Sequence, residues 1–126
     1  MEMFQTADWK KEKHVPVIEV VGEAGKKSPV VIKVTVGKEI PHPNTTEHHI
    51  SWIELFFLPD GERFPFQIGR AEFLAHGAST EGANTSTVYT EPIALFTFRT
   101  EKAGKLIATS YCNIHGLWKN EYELRF

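Results

Sequence analysis

VVIKVTV, residues Val30–Val36, decides the fold. Ile32, Val34 and Val36 fall on one side and Lys33 and Thr35 on the other, the period of two that marks a half-buried strand. The same texture extends in both directions. VPVIEV (Val15–Val20) precedes it, and GEAGKKSP (Gly22–Pro29) between them reads as a hairpin loop. HHISWIELFFLP (His48–Pro59) is a long run of aromatic and β-branched residues; PDGERF (Pro59–Phe64) supplies a turn centred on Asp60-Gly61, and PFQIGRAEFLA (Pro65–Ala75) returns. IALFTFR (Ile93–Arg99) alternates again, and EKAG (Glu101–Gly104) turns into KLIATSYC (Lys105–Cys112). EYELRF (Glu121–Phe126) closes the chain with Tyr122, Leu124 and Phe126 on one face. No stretch of helical length keeps a helical period. Seven short strands separated by Gly/Pro/Asn/Ser-rich loops predict an all-β, immunoglobulin-like sandwich of antiparallel sheets.

The chain of 126 residues is expected to form one domain, 1–126. Its apolar content of 41% is enough for a real core. Fourteen basic against sixteen acidic residues leave a net charge of −2, which argues against a nucleic-acid-binding face. No apolar run is long enough for a membrane helix, and MEMFQTADWKKEKH at the start has no hydrophobic core of a secretory signal. A single cysteine, Cys112, excludes an internal disulfide framework and any four-cysteine centre. A lone thiol suits a reducing compartment, so a cytoplasmic location is expected.

Six histidines stand against that one cysteine: His14, His42, His48, His49, His76 and His115. Two long loops, GKEIPHPNTTE (Gly37–Glu47) and AHGASTEGANTSTVYTE (Ala75–Glu91), are where function is expected on a β scaffold. One histidine in a loop is ordinarily no ligand. His14, His42 and His48, joined by a C-x-x-H pair at Cys112 and His115, shift the reading to a metal site assembled in loops at one end of the sandwich. Four imidazoles and a thiolate exceed the tetrahedral quota of structural zinc. A blue-copper site wants a weak axial Met, yet the only methionines, Met1 and Met3, lie far before the cysteine. Iron in an imidazole-rich plane with one thiolate fits the count better. A Cys/His nucleophile would leave three of the histidines unexplained. Neighbours in a strand face opposite ways, so only one of His48 and His49 can reach the metal, and the pattern leaves open which. His76 reads as a loop residue or an outer neighbour of the site. Trp9, Trp52 and Trp118 read as core or interface aromatics, and Lys10, Lys11 and Lys13 as a solvated basic face.

EKHVP (Glu12–Pro16), IPHPNTTEHH (Ile40–His49) and SYCNIHGLW (Ser110–Trp118) together resemble the signatures of superoxide reductase in its one-iron, neelaredoxin form. The similarity runs in register from Asp8 to Trp118. The two-iron form, desulfoferrodoxin, carries a further rubredoxin-like four-cysteine domain, for which this chain has no cysteines. The resemblance implies one mononuclear iron, cycling between ferrous and ferric. His14, His42, His48 and His115 would form its equatorial plane, and Cys112 its axis. It also implies Glu12 as an occupant of the sixth position in the ferric state and Lys13 as a flank of the open face. Backbone amides of Ile114 or His115 are expected to tune the sulfur. The implied reaction is reduction of superoxide to hydrogen peroxide with electrons from a rubredoxin-like donor, in a homo-oligomer such as a tetramer. The alternative is a non-catalytic electron-transfer protein or copper carrier, which metal analysis would separate.

Overall fold

The computed structural model describes residues 2–126; Met1, discounted above as an axial ligand, lies outside them. Among the described residues seven strands form: β1 (Val17–Val21), β2 (Val30–Thr35), β3 (Ile50–Pro59), β4 (Phe66–Glu72), β5 (Ile93–Phe98), β6 (Gly104–Cys112) and β7 (Gly116–Leu124). They build two antiparallel sheets, a three-stranded one ordered β1-β2-β5 and a four-stranded one ordered β4-β3-β6-β7. Among the described residues no helix is long and apolar enough to cross a membrane.

The alternation read from the sequence becomes the core. Val30, Ile32 and Val34 from the first sheet, with Val36 just past the end of β2, face Ile53, Leu55, Phe57, Leu106 and Ala108 from the second, all buried. Stacking two sheets on such faces is the stable way to hide one apolar side of each. The same parity carries function to the end of β6. Leu106, Ala108, Ser110 and Cys112 share the inward face, so the sulfur arrives at the edge of the core with no exposure.

Several strand limits differ from the expected ones. β3 begins at Ile50, so His48 and His49 precede the strand. The β3–β6 register shifts between Ile50 and Trp52, an extra residue at Ser51 that lets both Ile50 and Ile53 point inward. β1 and β4 are shorter than read. β7 starts five residues earlier than expected and ends at Leu124. Its first half, GLWKN, lacks alternation because it is half-buried on both faces. Only Leu124 of the expected Tyr122–Leu124–Phe126 face is buried; Tyr122 and Phe126 are exposed. β6 and β7 are joined by a tight turn closed by the Cys112–Gly116 pair. Gly116 there has φ +79°, a left-handed value that glycine adopts without strain.

The segment before β1 is pinned along β7. The Gln5 amide donates to the Leu117 carbonyl at 2.9 Å, and the Lys119 amide to Gln5 at 2.9 Å. Further on, Asn120 Nδ2 donates to the Pro16 carbonyl at 3.1 Å, and buried Ser110 Oγ to the His14 carbonyl at 3.2 Å. His14 is thereby held over the end of β6.

Candidate metal centre

Four segments meet at one end of the sandwich. His14 comes from the pinned segment before β1, His42 and His48 from the loop between β2 and β3, Cys112 from the last position of β6, and His115 from the turn into β7. One donor atom each from His14, His42, His48 and Cys112 lies within 4.8 Å of the others. His115 joins them through Nδ1, which is 3.2 Å from His14 Nε2, 3.2 Å from His48 Nε2 and 3.7 Å from Cys112 Sγ.

The four rings form a closed circuit. Centroid separations are 4.7 Å for His14–His42, 4.7 Å for His42–His48, 5.0 Å for His48–His115 and 4.7 Å for His115–His14. The diagonal His14–His48 is longer, 6.3 Å, as across a four-cornered frame. Cys112 is fully buried beneath this frame, whereas His115 is exposed and His48 half-buried. The centre therefore has a buried sulfur side and an imidazole side that reaches solvent.

Outer hydrogen bonds set which nitrogen of each ring is free. His42 Nδ1–H donates to the Pro43 carbonyl at 2.6 Å, leaving Nε2 as a lone pair; that atom is buried and has no partner among the described residues. His14 Nδ1–H donates to Glu12 Oε1 at 2.5 Å, which turns the bare Nε2 of His14 toward His115. Lone pairs converging on one another are repulsive unless a cation sits among them. An orphaned buried nitrogen, facing imidazoles and a thiol are the donor set of a transition metal, with softness from sulfur. The His115 backbone amide donates to Cys112 Sγ at 3.3 Å, so of the two amides expected at the sulfur, His115 supplies the bond.

Glu12 sits on the outer side of His14. Its carboxylate accepts from the His14 ring and from the amides of His14 and Lys13, both at 2.9 Å. Burial works to raise its pKa, but these hydrogen bonds and the nearby His14 charge hold it below the ordinary carboxylate value. Lys13 is half-buried, and its charge is close enough to press down the pKa values of both His42 and His48. Lys10 and Lys38 instead bracket the Trp9 ring, at 5.6 and 5.4 Å from its centroid.

His42 is pushed down to about 4, first by burial and then by the positive charges of His14, His48 and Lys13, against the Pro43 carbonyl, which raises it. His48 is lowered by burial and by His115, His14, Lys13 and His49. An unfolded imidazole titrates near 6.5. Between that value and about 4 the unfolded chain takes up a proton that folded His42 refuses, so stability is full above the window and falls as pH falls through it. For the metal-free protein, denaturant unfolding at stepped pH should show a loss on the order of 3 kcal/mol across this range, smaller in His42→Asn. A flat profile in the parent protein would remove His42 from this account.

His48 faces the other donors and His49 turns away, the arrangement the resemblance implied where strand parity alone left either open. His49 Nδ1 donates to the Thr45 carbonyl at 2.8 Å, and its ring stacks on His76 at 3.6 Å and 7°. His76 in turn contacts the Phe73 carbonyl at 2.5 Å and Asn44 Oδ1 at 3.1 Å, bracing the loop between β2 and β3 against the Ala75–Glu91 loop. Trp118 is more than a core aromatic. It stacks on the His14 ring at 4.8 Å and 14°, and Nε1–H donates to the His115 carbonyl at 3.2 Å. Its place three residues after His115 was the available signal.

The desulfoferrodoxin family profile matches residues 6–121. The chain is 64% identical over 123 residues to superoxide reductase of Pyrococcus furiosus, covering 98% of this chain and 97% of that one. It is 49% identical over 119 residues to neelaredoxin of Megalodesulfovibrio gigas, covering 94% and 92%. Its structure superposes with a TM-score of 0.94 on superoxide reductase (neelaredoxin) from Archaeoglobus fulgidus in the reduced form. That pair shares 66% identity, over 99% of this chain and all of the other.

Proposed function

This chain belongs to the desulfoferrodoxin family, and from that premise we propose that it is a superoxide reductase with one mononuclear iron per chain. The supporting observation is the convergence of His14, His42, His48, His115 and Cys112 on one point, with the buried His42 Nε2 aimed into it unpartnered. These five side chains would hold the iron. When bound, the ion supplies a one-electron couple: superoxide takes one electron and two protons and leaves as hydrogen peroxide.

The chain's own residues set the conditions for that reaction. Cys112, buried on the side away from solvent, would donate electron density, moderated by the His115 amide. The imidazoles are neutral ligands oriented by outer acceptors, Pro43 for His42 and Glu12 for His14. The anion would enter from the imidazole side, where the Lys13 charge lies close to His42 and His48. Glu12, which here accepts from His14 Nδ1, would have to leave that bond to serve as a donor to the oxidised ion. The electron source is a rubredoxin-like protein, and the chain acts in the cytoplasm as a homo-oligomer.

The direct test is iron content with visible spectra in both redox states, followed by decay of pulse-generated superoxide. We expect stoichiometric iron and peroxide without released dioxygen; dioxygen release or an iron-free protein would overturn the reading. Lys13→Ala should lower the second-order rate with superoxide by roughly two- to tenfold at low salt and flatten its ionic-strength dependence. An unchanged salt profile would remove Lys13 from steering.

A further inference from the structure

One uncharged side chain outside the donor set grips the backbone on both sides of a proposed ligand. Asn113 follows Cys112 in the turn into β7, and its side-chain amide reaches back across the β3 entry. Nδ2 donates to the Glu47 carbonyl at 2.8 Å, and Oδ1 accepts from the His49 amide at 2.8 Å. The Asn113 backbone amide adds a bond to the His49 carbonyl at 3.2 Å. The two side-chain bonds straddle His48.

We propose that Asn113 is a positioning residue that fixes His48 in register with Cys112 and His115; the proposal rests on the metal-centre reading above. The β3–β6 ladder ends at the Ile50–Cys112 pair, immediately after the Ser51 irregularity. His48 lies two residues past that end, where no strand pairing fixes it. Its own loop closes on itself: the His48 amide donates to Thr45 Oγ1 at 3.0 Å and the Thr45 amide to the His48 carbonyl at 2.9 Å. Those bonds shape the loop but do not place it against the Cys112–His115 turn. Asn113 does so, because an amide offers one donor and one acceptor at the spacing of a peptide group and so continues the ladder beyond its last backbone pair. It also ties His48 to the turn that carries both the sulfur and His115.

Supporting partners of metal ligands typically carry 10–100-fold in metal affinity. The test is cobalt(II) titration of the metal-free parent, Asn113→Ala and Asn113→Asp. Affinity, the ligand-field and sulfur-to-cobalt charge-transfer bands at saturation, and thermal unfolding of each metal-free protein are recorded. Asn113→Ala should bind cobalt about 10–100-fold more weakly, with altered ligand-field bands, while the metal-free protein unfolds near the parent temperature. Asn113→Asp keeps an acceptor for His49 but sets a carboxylate against the Glu47 carbonyl, so it should also lose affinity. Parent-like affinity and bands in either variant would overturn the proposal. So would an affinity loss with parent-like bands that is matched by loss of metal-free stability, since that pattern means general destabilisation. Failure of the parent itself to bind cobalt would instead overturn the metal-centre reading, and this inference with it.

Discussion

Cys112→Ser should abolish the thiolate-to-iron charge-transfer absorption of the oxidised protein and weaken iron binding by more than about 100-fold. Loss of a ligand's supporting partner alone costs about 10–100-fold, and here the proposed ligand itself is removed. A serine hydroxyl stays protonated where a metal-bound thiol does not, so the replacement takes away both a charge and the softest donor. The metal-free fold should survive the change. Serine is smaller but close in shape, and the His115 amide that donates to the sulfur still has an oxygen to meet. Unfolding of the metal-free variant within about 2 kcal/mol of the parent would separate ligand loss from misfolding. An unchanged visible spectrum would take Cys112 out of the centre.

The second large effect is expected at a residue that offers no donor at all. Gly37 has φ +82°, and a Cβ there would lie 2.6 Å from the His42 amide nitrogen and 3.3 Å from His42 Cβ. Gly37→Ala must therefore adopt a left-handed conformation and push the backbone that carries His42. The first cost is about 1–2 kcal/mol, and the second adds the displacement of buried His42 between its two flanking prolines. We expect destabilisation of about 2–4 kcal/mol and at least a tenfold loss of metal affinity. Gly22→Ala is the control: its φ is +75°, yet its Cβ would meet nothing within 4 Å, so it bears the dihedral cost alone. Equal behaviour of the two variants would show that the close approach to His42 does not matter.

The strands and the ligand types were legible because both are written in local pattern. Period-two alternation placed Ile32 and Val34 in the core, and the same parity carried from Leu106 to Cys112 brings the sulfur to the inner edge. What was not legible depends on contacts distant in the chain. Strand parity alone could not choose between His48 and His49, though the motif resemblance implied His48, because the choice turns on whether a ring faces His115 or stacks on His76, 27 positions downstream of His49 by difference of residue numbers. The early start of β7 is hidden because Gly116–Asn120 is half-buried throughout and shows no alternation. Trp118 read as a core or interface aromatic and Asn113 drew no reading, because their contacts lie in a stack on His14 and in bonds around His48.

His14 and His115 face each other across 101 positions of sequence, so an ion gripping both closes a ring around nearly the whole chain. In a protein with one cysteine, that coordination would be a removable cross-link in place of a disulfide. Resistance to heat would then be a property shared with the bound ion. The melting point would climb with the free concentration of the ion, and chelators would act as denaturants.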